Sequence, residues 1–466
     1  MEEIRSDSPP AWRKTLSYFA LAAMPLSVNL ERFVKFKRPI YVSPLDVLLL
    51  PLLILMLLDL SARKPWARLR LPPAPALFWA GLALLSCAWI SGFPREGTTL
   101  MDWLMAAANP LVVVMLPVWI FSNLSHDASE FRKLTLCLIG SFGVCVLVAL
   151  IQYLGPVGIP FNPDKPLQAL GGTTNLRLGG WYDNRMQFGA QAAMLLPVAA
   201  AFAVLDKNLI VRVLCGLMAA IGLCVTLSPG GFLGALAGVV AVAALCLVSN
   251  RTRAAVGLLI GVLAFVMLIL PNLPAKRDNA GTISRGLALF AKTSEDEKKP
   301  TSRLRRYQAA LDYLSERRDP GNEKTPPNWI VGAGAGRYNF QINQFYDPKY
   351  YEKPGGRTDD EAKFDMEGHE RDGFGLLEKT GVELGSAGLA VLALFFAFWV
   401  AGAAGAFARA DDAVDAHNLR KILALAAFGA GVGAAVVSVF AFPAQRGAGS
   451  GGSFAFLFAL SAWLNA

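Results

Sequence analysis

The chain has 466 residues, of which 54% are hydrophobic and 17% charged, and its formal net charge is +9. Soluble domains carry roughly a quarter charged residues, whereas here the charges form short blocks between apolar runs of about 17–25 residues, a length that crosses a bilayer as a helix. This pattern excludes an ordinary soluble protein. It also argues against a nucleic-acid partner, because the basic residues mostly flank the apolar runs.

The apolar runs predict twelve membrane-spanning helices. In chain order they cover residues 16–30, 40–61, 73–92, 104–123, 134–154, 186–205, 208–227, 230–248, 253–271, 384–407, 420–442 and 450–466. Twelve spans place both termini on one side. Basic residues are more frequent in the segments of that side, which the positive-inside rule assigns to the cytoplasm.

The predicted fold is therefore an all-α polytopic membrane protein with one large external loop. Residues 1–271 form a bundle of nine spans with a smaller external loop at 155–185, and residues 384–466 add three spans. The loop at 272–380 is too long to be a structureless connector, so we expect a mainly helical domain there.

An amphipathic helix is predicted inside this loop. The stretch Arg303–Arg318 places Leu304, Tyr307, Leu311 and Leu314 on one stripe, with most of the arginines off it. Such a helix suits the surface of a membrane.

External arginines are the first candidate for chemistry. Arg177 and Arg185 flank the segment that leads into the sixth span, and Arg303 and Arg306 begin the amphipathic helix. Guanidinium groups bind phosphate oxygens two at a time, so these residues could bind a lipid-linked pyrophosphate. The alternative is simple contact with lipid headgroups.

An acidic segment near the end of the loop holds the candidate base. His369 is the one histidine of the chain that this topology places outside, and Glu367 and Glu370 adjoin it. Each could accept a proton, and each could equally be a solvated loop residue. A single external histidine without external cysteine argues against a transition-metal site.

A glycine run follows the amphipathic helix. Gly332, Gly334 and Gly336 superficially resemble a phosphate-binding loop, but the lysine and Ser/Thr of a P-loop do not follow. The run instead predicts a tight turn with close backbone packing.

Taken in order, these motifs resemble the O-antigen polymerase and O-antigen ligase superfamily of bacterial envelope glycan enzymes. The first is Arg177-Leu-Gly-Gly-Trp-Tyr-Asp-Asn-Arg-Met-Gln-Phe-Gly189. Arg303–Ala310 followed by Trp329–Tyr338 is similar to the family's arginine-led helix and glycine turn, and Glu383–Leu389 to the motif that opens the next span.

The chain departs from the family pattern at two places, and the second departure favours a polymerase over a ligase. Ser228-Pro229-Gly230 stands where members often carry Ser-Arg-Gly. Ligases often show His-Asn shortly before the span that follows the loop, whereas here Glu370 follows His369 and the spacing to Glu383 is a few residues longer.

The resemblance implies a metal-independent glycosyltransferase of the bacterial inner membrane, with no cofactor. The donor would be a glycan on undecaprenyl pyrophosphate. The acceptor would be a sugar hydroxyl, on another lipid-linked repeat of O-antigen or exopolysaccharide for a polymerase, or on lipid A–core for a ligase. Further partners would be membrane lipids and, for a polymerase, a chain-length regulator. A transporter or flippase for lipid-linked sugars is the alternative from another class, although the predicted spans carry few charges at mid-membrane.

Overall fold

A computed structural model of the chain describes residues 11–23, 44–61, 116–124, 127–154, 185–226, 228–249, 253, 256–258, 260–261, 303–315, 328–332, 375–410, 415–440 and 450–465. The regular structure within these residues is helical, and they contain no strand.

The helices are numbered here along the described residues. They are α1 (Ala11–Ala23), α2 (Pro44–Ser61), α3 (Leu116–Ser122), α4 (Ala128–Leu154), α5 (Arg185–Leu205), α6 (Leu209–Val225), α7 (Pro229–Val248), α8 (Arg303–Ser315), α9 (Asn328–Val331), α10 (Leu376–Arg409), α11 (Asp415–Ser438) and α12 (Ser450–Leu464).

Five helices of the described part are long and apolar enough to cross a membrane, namely α4, α5, α7, α10 and α11, and α6 and α12 are shorter apolar helices. This is the make-up of a helical membrane protein. The predicted spans at 186–205 and 230–248 begin one residue after α5 and α7 and end with them. The predicted span at 73–92 lies outside the described residues, and the total of twelve stays a prediction.

The centre of the bundle is a close contact of α5, α7 and α11 through small residues. A methyl group built on Gly234 of α7 would lie 2.8 Å from Cβ of Ala193 and 3.0 Å from the carbonyl oxygen of Gly433. One on Gly238 would lie 2.7 Å from the carbonyl oxygen of Gly429. Small residues at such contacts let helix backbones approach in lipid, where the hydrophobic effect does not hold helices together.

Aromatic side chains join α10, α11 and α12. Trp399 of α10 is 1% exposed, its indole Nε1 donates a hydrogen bond to the carbonyl oxygen of Ala427 at 2.9 Å, and Ser461 donates to the carbonyl oxygen of Trp399 at 3.1 Å. The ring lies edge-on to Phe454 and Phe458 with centroids 5.2 and 5.1 Å away. These contacts fix the three last helices as a unit.

Contacts at its tips give the bundle two distinct ends. At one end Arg132, near the start of α4, makes two 2.9 Å bonds to Asp206, just after α5, and the ring of Phe131 lies 4.5 Å from that of Trp463 near the end of α12. The other end is where α5, α7, α10 and α12 begin and α11 ends. It is called the loop end below, since α8 and α9 pack against α10 there.

Candidate functional site

The starts of α5 and α7 are pressed together at the loop end. A methyl group on Gly189 would lie 2.7 Å from Cβ of Ser228 and 3.2 Å from Cα of Gly231. Ser228 is the N-cap of α7, has an extended backbone and is 5% exposed. The motif that begins at Arg177 in the sequence therefore ends, at Gly189, in a contact with Ser228 and Gly231, which flank Pro229-Gly230.

A hydrogen bond joins helix α8 to this end. The hydroxyl of Tyr307 donates to the carbonyl oxygen of Val439, just after α11. Gly375 precedes α10 and packs closely against this hydrogen bond. No side chain fits at position 375, because a methyl group there would lie 2.9 Å from the Tyr307 hydroxyl oxygen. Val439 is followed by Phe440, whose ring would be 2.8 Å from a methyl group on Gly230 of α7.

The buried face of α8 differs from the predicted stripe. Ala310 and Tyr313 are 5% and 3% exposed, whereas Leu311 is 65% exposed. Helix α8 turns its Ala310–Tyr313 side towards the protein, and Leu311 of the predicted stripe lies on the outer surface. That the helix lies at a membrane surface stays a prediction.

Helix α9 contacts α10 by backbone against backbone. Gly332 and Gly385 both have positive φ, +70° and +66°. A methyl group on Gly332 would lie 2.5 Å from the carbonyl oxygen of Glu383, and one on Gly385 would lie 2.7 Å from the amide nitrogen of Val331. Only glycine adopts these conformations without strain at so short a distance.

Gly385 divides α10 into two parts. The helix has 34 residues and a break at Gly385, and at about 1.5 Å per residue it is longer than the roughly 30 Å of hydrocarbon that a span needs. The part before the break, residues 376–384, is called α10N. It begins eight residues before the predicted span at 384–407.

Two buried carboxylates lie in α10N. Glu378 and Glu383 are 6% and 8% exposed, and Nζ of Lys379 lies 4.0 Å from Oε1 of Glu383. A carboxylate beside the glycine contact can accept a proton or orient a hydroxyl. The sequence analysis missed both as candidates, although the motif Glu383–Leu389 contained one of them.

The structure places only some of the predicted site residues. Arg185 is the first residue of α5, Arg303 and Arg306 lie in the first turn of α8, and Gly332 forms the contact described above. Outside the described residues are Arg177, Gly334, Gly336, Glu367, His369 and Glu370. The roles of all these residues in chemistry stay predictions.

The described part of the chain holds no group of three or more histidine, cysteine, aspartate or glutamate side chains that could bind a metal ion.

The sequence matches no protein-family model, and no curated protein matches it. What can be said of function therefore depends on the motifs and on their arrangement. The described parts of four motifs meet at the loop end: the start of α5, the helix α8, the Gly332 turn and α10N.

Proposed function

We propose that the protein is a glycan transferase of the bacterial inner membrane, in the O-antigen polymerase and ligase superfamily. It moves an oligosaccharide or polysaccharide from undecaprenyl pyrophosphate to a sugar hydroxyl at the periplasmic face. The observation that carries the proposal is the meeting of the four motifs at one end of the bundle, although more than a hundred residues separate the first from the second.

The proposed topology has twelve spans and both termini in the cytoplasm. The loop end then faces the periplasm, and the end with the Arg132–Asp206 ion pair faces the cytoplasm. Alternation along the chain supports this arrangement, because α5 begins at the loop end and ends beside Asp206, while α11 runs the opposite way. Residues 272–380 form the periplasmic loop domain between the bundle parts 1–271 and 384–466.

Pyrophosphate chemistry explains the use of arginine. Pyrophosphate is a good leaving group, and as its bond to the sugar breaks, charge grows on the phosphate oxygens. Arg177, Arg185, Arg303 and Arg306 supply fixed positive charge for those oxygens without a metal ion. The acceptor hydroxyl loses a proton to His369 or to one of the carboxylates Glu367 and Glu370. The gap between loop domain and bundle aligns the two substrates.

Polymerase activity is preferred over ligase activity because Glu370 follows His369 where ligases often have asparagine, and because the spacing from His369 to Glu383 is longer than in ligases. The buried carboxylates of α10N add a reason, because they offer a general base that does not depend on a His-Asn pair. Transport of lipid-linked sugars remains the competing function.

Gene deletion with analysis of envelope glycan separates the candidates. A polymerase mutant retains lipid A with a single repeat and loses all long chains. A ligase mutant accumulates lipid-linked polymer. For transport, proteoliposomes would move labelled lipid-linked glycan across the bilayer and form no glycosidic bond.

Single substitutions then test the site. We expect Arg177→Ala and Arg303→Ala to abolish glycan transfer while the protein still inserts into the membrane. Arg253→Ala is the matched control, because Arg253 is an exposed arginine on the cytoplasmic side of the proposed topology. Polymer of normal length and amount from either site variant would rule out these arginines as the pyrophosphate site.

A further inference from the structure

Among the described residues, one buried side chain of α5 has no hydrogen-bond partner. Gln191 is 0% exposed, and within that part of the chain neither its amide nitrogen Nε2 nor its oxygen Oε1 has a partner. Residues 191 to 202 of this helix are all buried, and Gln191 is the only one of them with a polar side chain. The amide is therefore the single polar side chain of a buried stretch of helix.

The position of Gln191 relates it to the loop end. It follows Arg185, the start of α5, by six residues, which is about 9 Å along the helix axis. It is two residues from both Gly189 and Ala193, so it lies roughly on the opposite side of α5 from the small-residue contact with α7 and α11. Gln191 therefore does not face the small-residue contact at the bundle centre.

A second buried polar side chain lies near the same end, in α12. Ser453 is 0% exposed, its hydroxyl has no partner within the part of the chain that the structure describes, and it follows the first residue of α12 by three residues. Helices α5 and α12 pack against each other. Two neighbouring helices thus each carry an unsatisfied polar side chain within two turns of the loop end.

An unsatisfied buried amide destabilises a fold, because its hydrogen bonds to water are lost and none replaces them. A leucine would fill the same volume without this loss. The amide has a donor and an acceptor, and its natural complement is a group that both accepts and donates. Sugar hydroxyls do both, pyrophosphate oxygens only accept, and a polyprenyl chain does neither.

We propose that Gln191 is a substrate-binding residue whose amide hydrogen-bonds sugar hydroxyls of the lipid-linked glycan, on the bundle side of the loop end. This inference rests on the proposed function for the identity of the substrate. It assigns the sugar to α5 and α12 and leaves the pyrophosphate to the arginines.

Thermal unfolding of the purified protein in detergent tests whether the Gln191 amide lacks a hydrogen-bond partner in the free protein. Gln191→Leu is expected to unfold at the same temperature as wild type or higher, because it removes an unsatisfied group. Gln152→Leu is the matched control: Gln152 is also 0% exposed but has an interaction partner, so its replacement should lower the unfolding temperature. A loss of stability in Gln191→Leu equal to that of Gln152→Leu would overturn the proposal, since Gln191 would then have a structural partner such as a bound water.

Binding experiments test whether Gln191 contacts the sugar. They use two probes, undecaprenyl pyrophosphate alone and the lipid-linked glycan extracted from the producing cells. Wild type should be stabilised more by the glycan-bearing probe, and Gln191→Leu should lose that difference while responding equally to the bare pyrophosphate. In transfer assays its KM for the donor should rise about tenfold, the effect of one or two neutral hydrogen bonds.

The outcomes keep the two proposals apart. If wild type transfers glycan and Gln191→Leu keeps both the KM and the binding difference, the role of Gln191 is refuted and the proposed function stands. If the Gln191-dependent binding difference is present but wild type forms no glycosidic bond, the sugar site stands and the transferase function is refuted.

Discussion

The backbone contact of Gly332 with Gly385 predicts a large effect from one methyl group. In Gly385→Ala the new Cβ would lie 2.5 Å from the carbonyl carbon of Ile330 and 2.7 Å from the amide nitrogen of Val331. Both neighbours are backbone atoms, which cannot rotate away as a side chain can. We expect α9 to separate from α10 in this variant.

The magnitude follows from the backbone angles and the clash. Gly385 has φ 66° and ψ −163°, a region that is essentially restricted to glycine and costs other residues about 1–3 kcal/mol. With the steric conflict added, the contact should weaken by about 3 kcal/mol, which shifts its opening equilibrium about a hundredfold.

Amide hydrogen exchange in detergent measures this opening. Residues 328–332 and α10N should exchange about a hundredfold faster in Gly385→Ala, while the rest of the bundle is unchanged. The control is Gly140→Ala, since no atom lies within 4 Å of a methyl group at that helical position. If residues 328–332 of Gly385→Ala exchange their amide hydrogens at the wild-type rate, the backbone contact as described is refuted.

Two further predictions concern the bundle. Asp206→Asn removes the charge that binds the Arg132 guanidinium through two 2.9 Å bonds. It should lower the free energy of unfolding by about 3 kcal/mol and lower the unfolding temperature in detergent. The double variant with Arg132→Ala should be no less stable than Asp206→Asn alone. Gly238→Val should cost at least about 1–3 kcal/mol, because even a methyl group there would lie 2.7 Å from the carbonyl oxygen of Gly429. Gly216→Ala, with its nearest atom 3.7 Å away, should leave the unfolding temperature unchanged, and equal unfolding temperatures for Gly238→Val and Gly216→Ala would contradict the close helix approach.

Within the described residues, sequence patterns predicted the limits of two apolar helices well and the polar ends of others poorly. The predicted spans at 186–205 and 230–248 match α5 and α7 closely because apolar runs set both limits. Helix α4 begins at Ala128, six residues before the predicted 134, because Glu130 and Arg132 are charged and were assigned to a loop. The hydrogen bond between Tyr18 and Glu130, at 2.5 Å, is a long-range contact that hydropathy cannot show.

The candidate site was predictable in part. The turn at Gly332 was predictable, because glycine runs predict tight turns. Its contact partner Gly385 could not be inferred, since it lies 53 residues further along the sequence. Glu378 and Glu383 are charged residues at the edge of the predicted loop, so their burial could not be inferred from hydropathy. Gln191 gave no signal at all, because a single polar residue does not alter the hydropathy of a span.

The two attachments of the loop have a consequence for how its sequence can change. Tyr307 fixes α8 to Val439 and Gly332 fixes α9 to Gly385, and Gly375 lies ten residues from Gly385, about 15 Å along α10N. Gly332 and Gly375, the described residues on either side of segment 333–374, are thus both held against the bundle. A change to either glycine would move the point at which the chain leaves the bundle, so the packing of the scaffold constrains the sequence at these two positions.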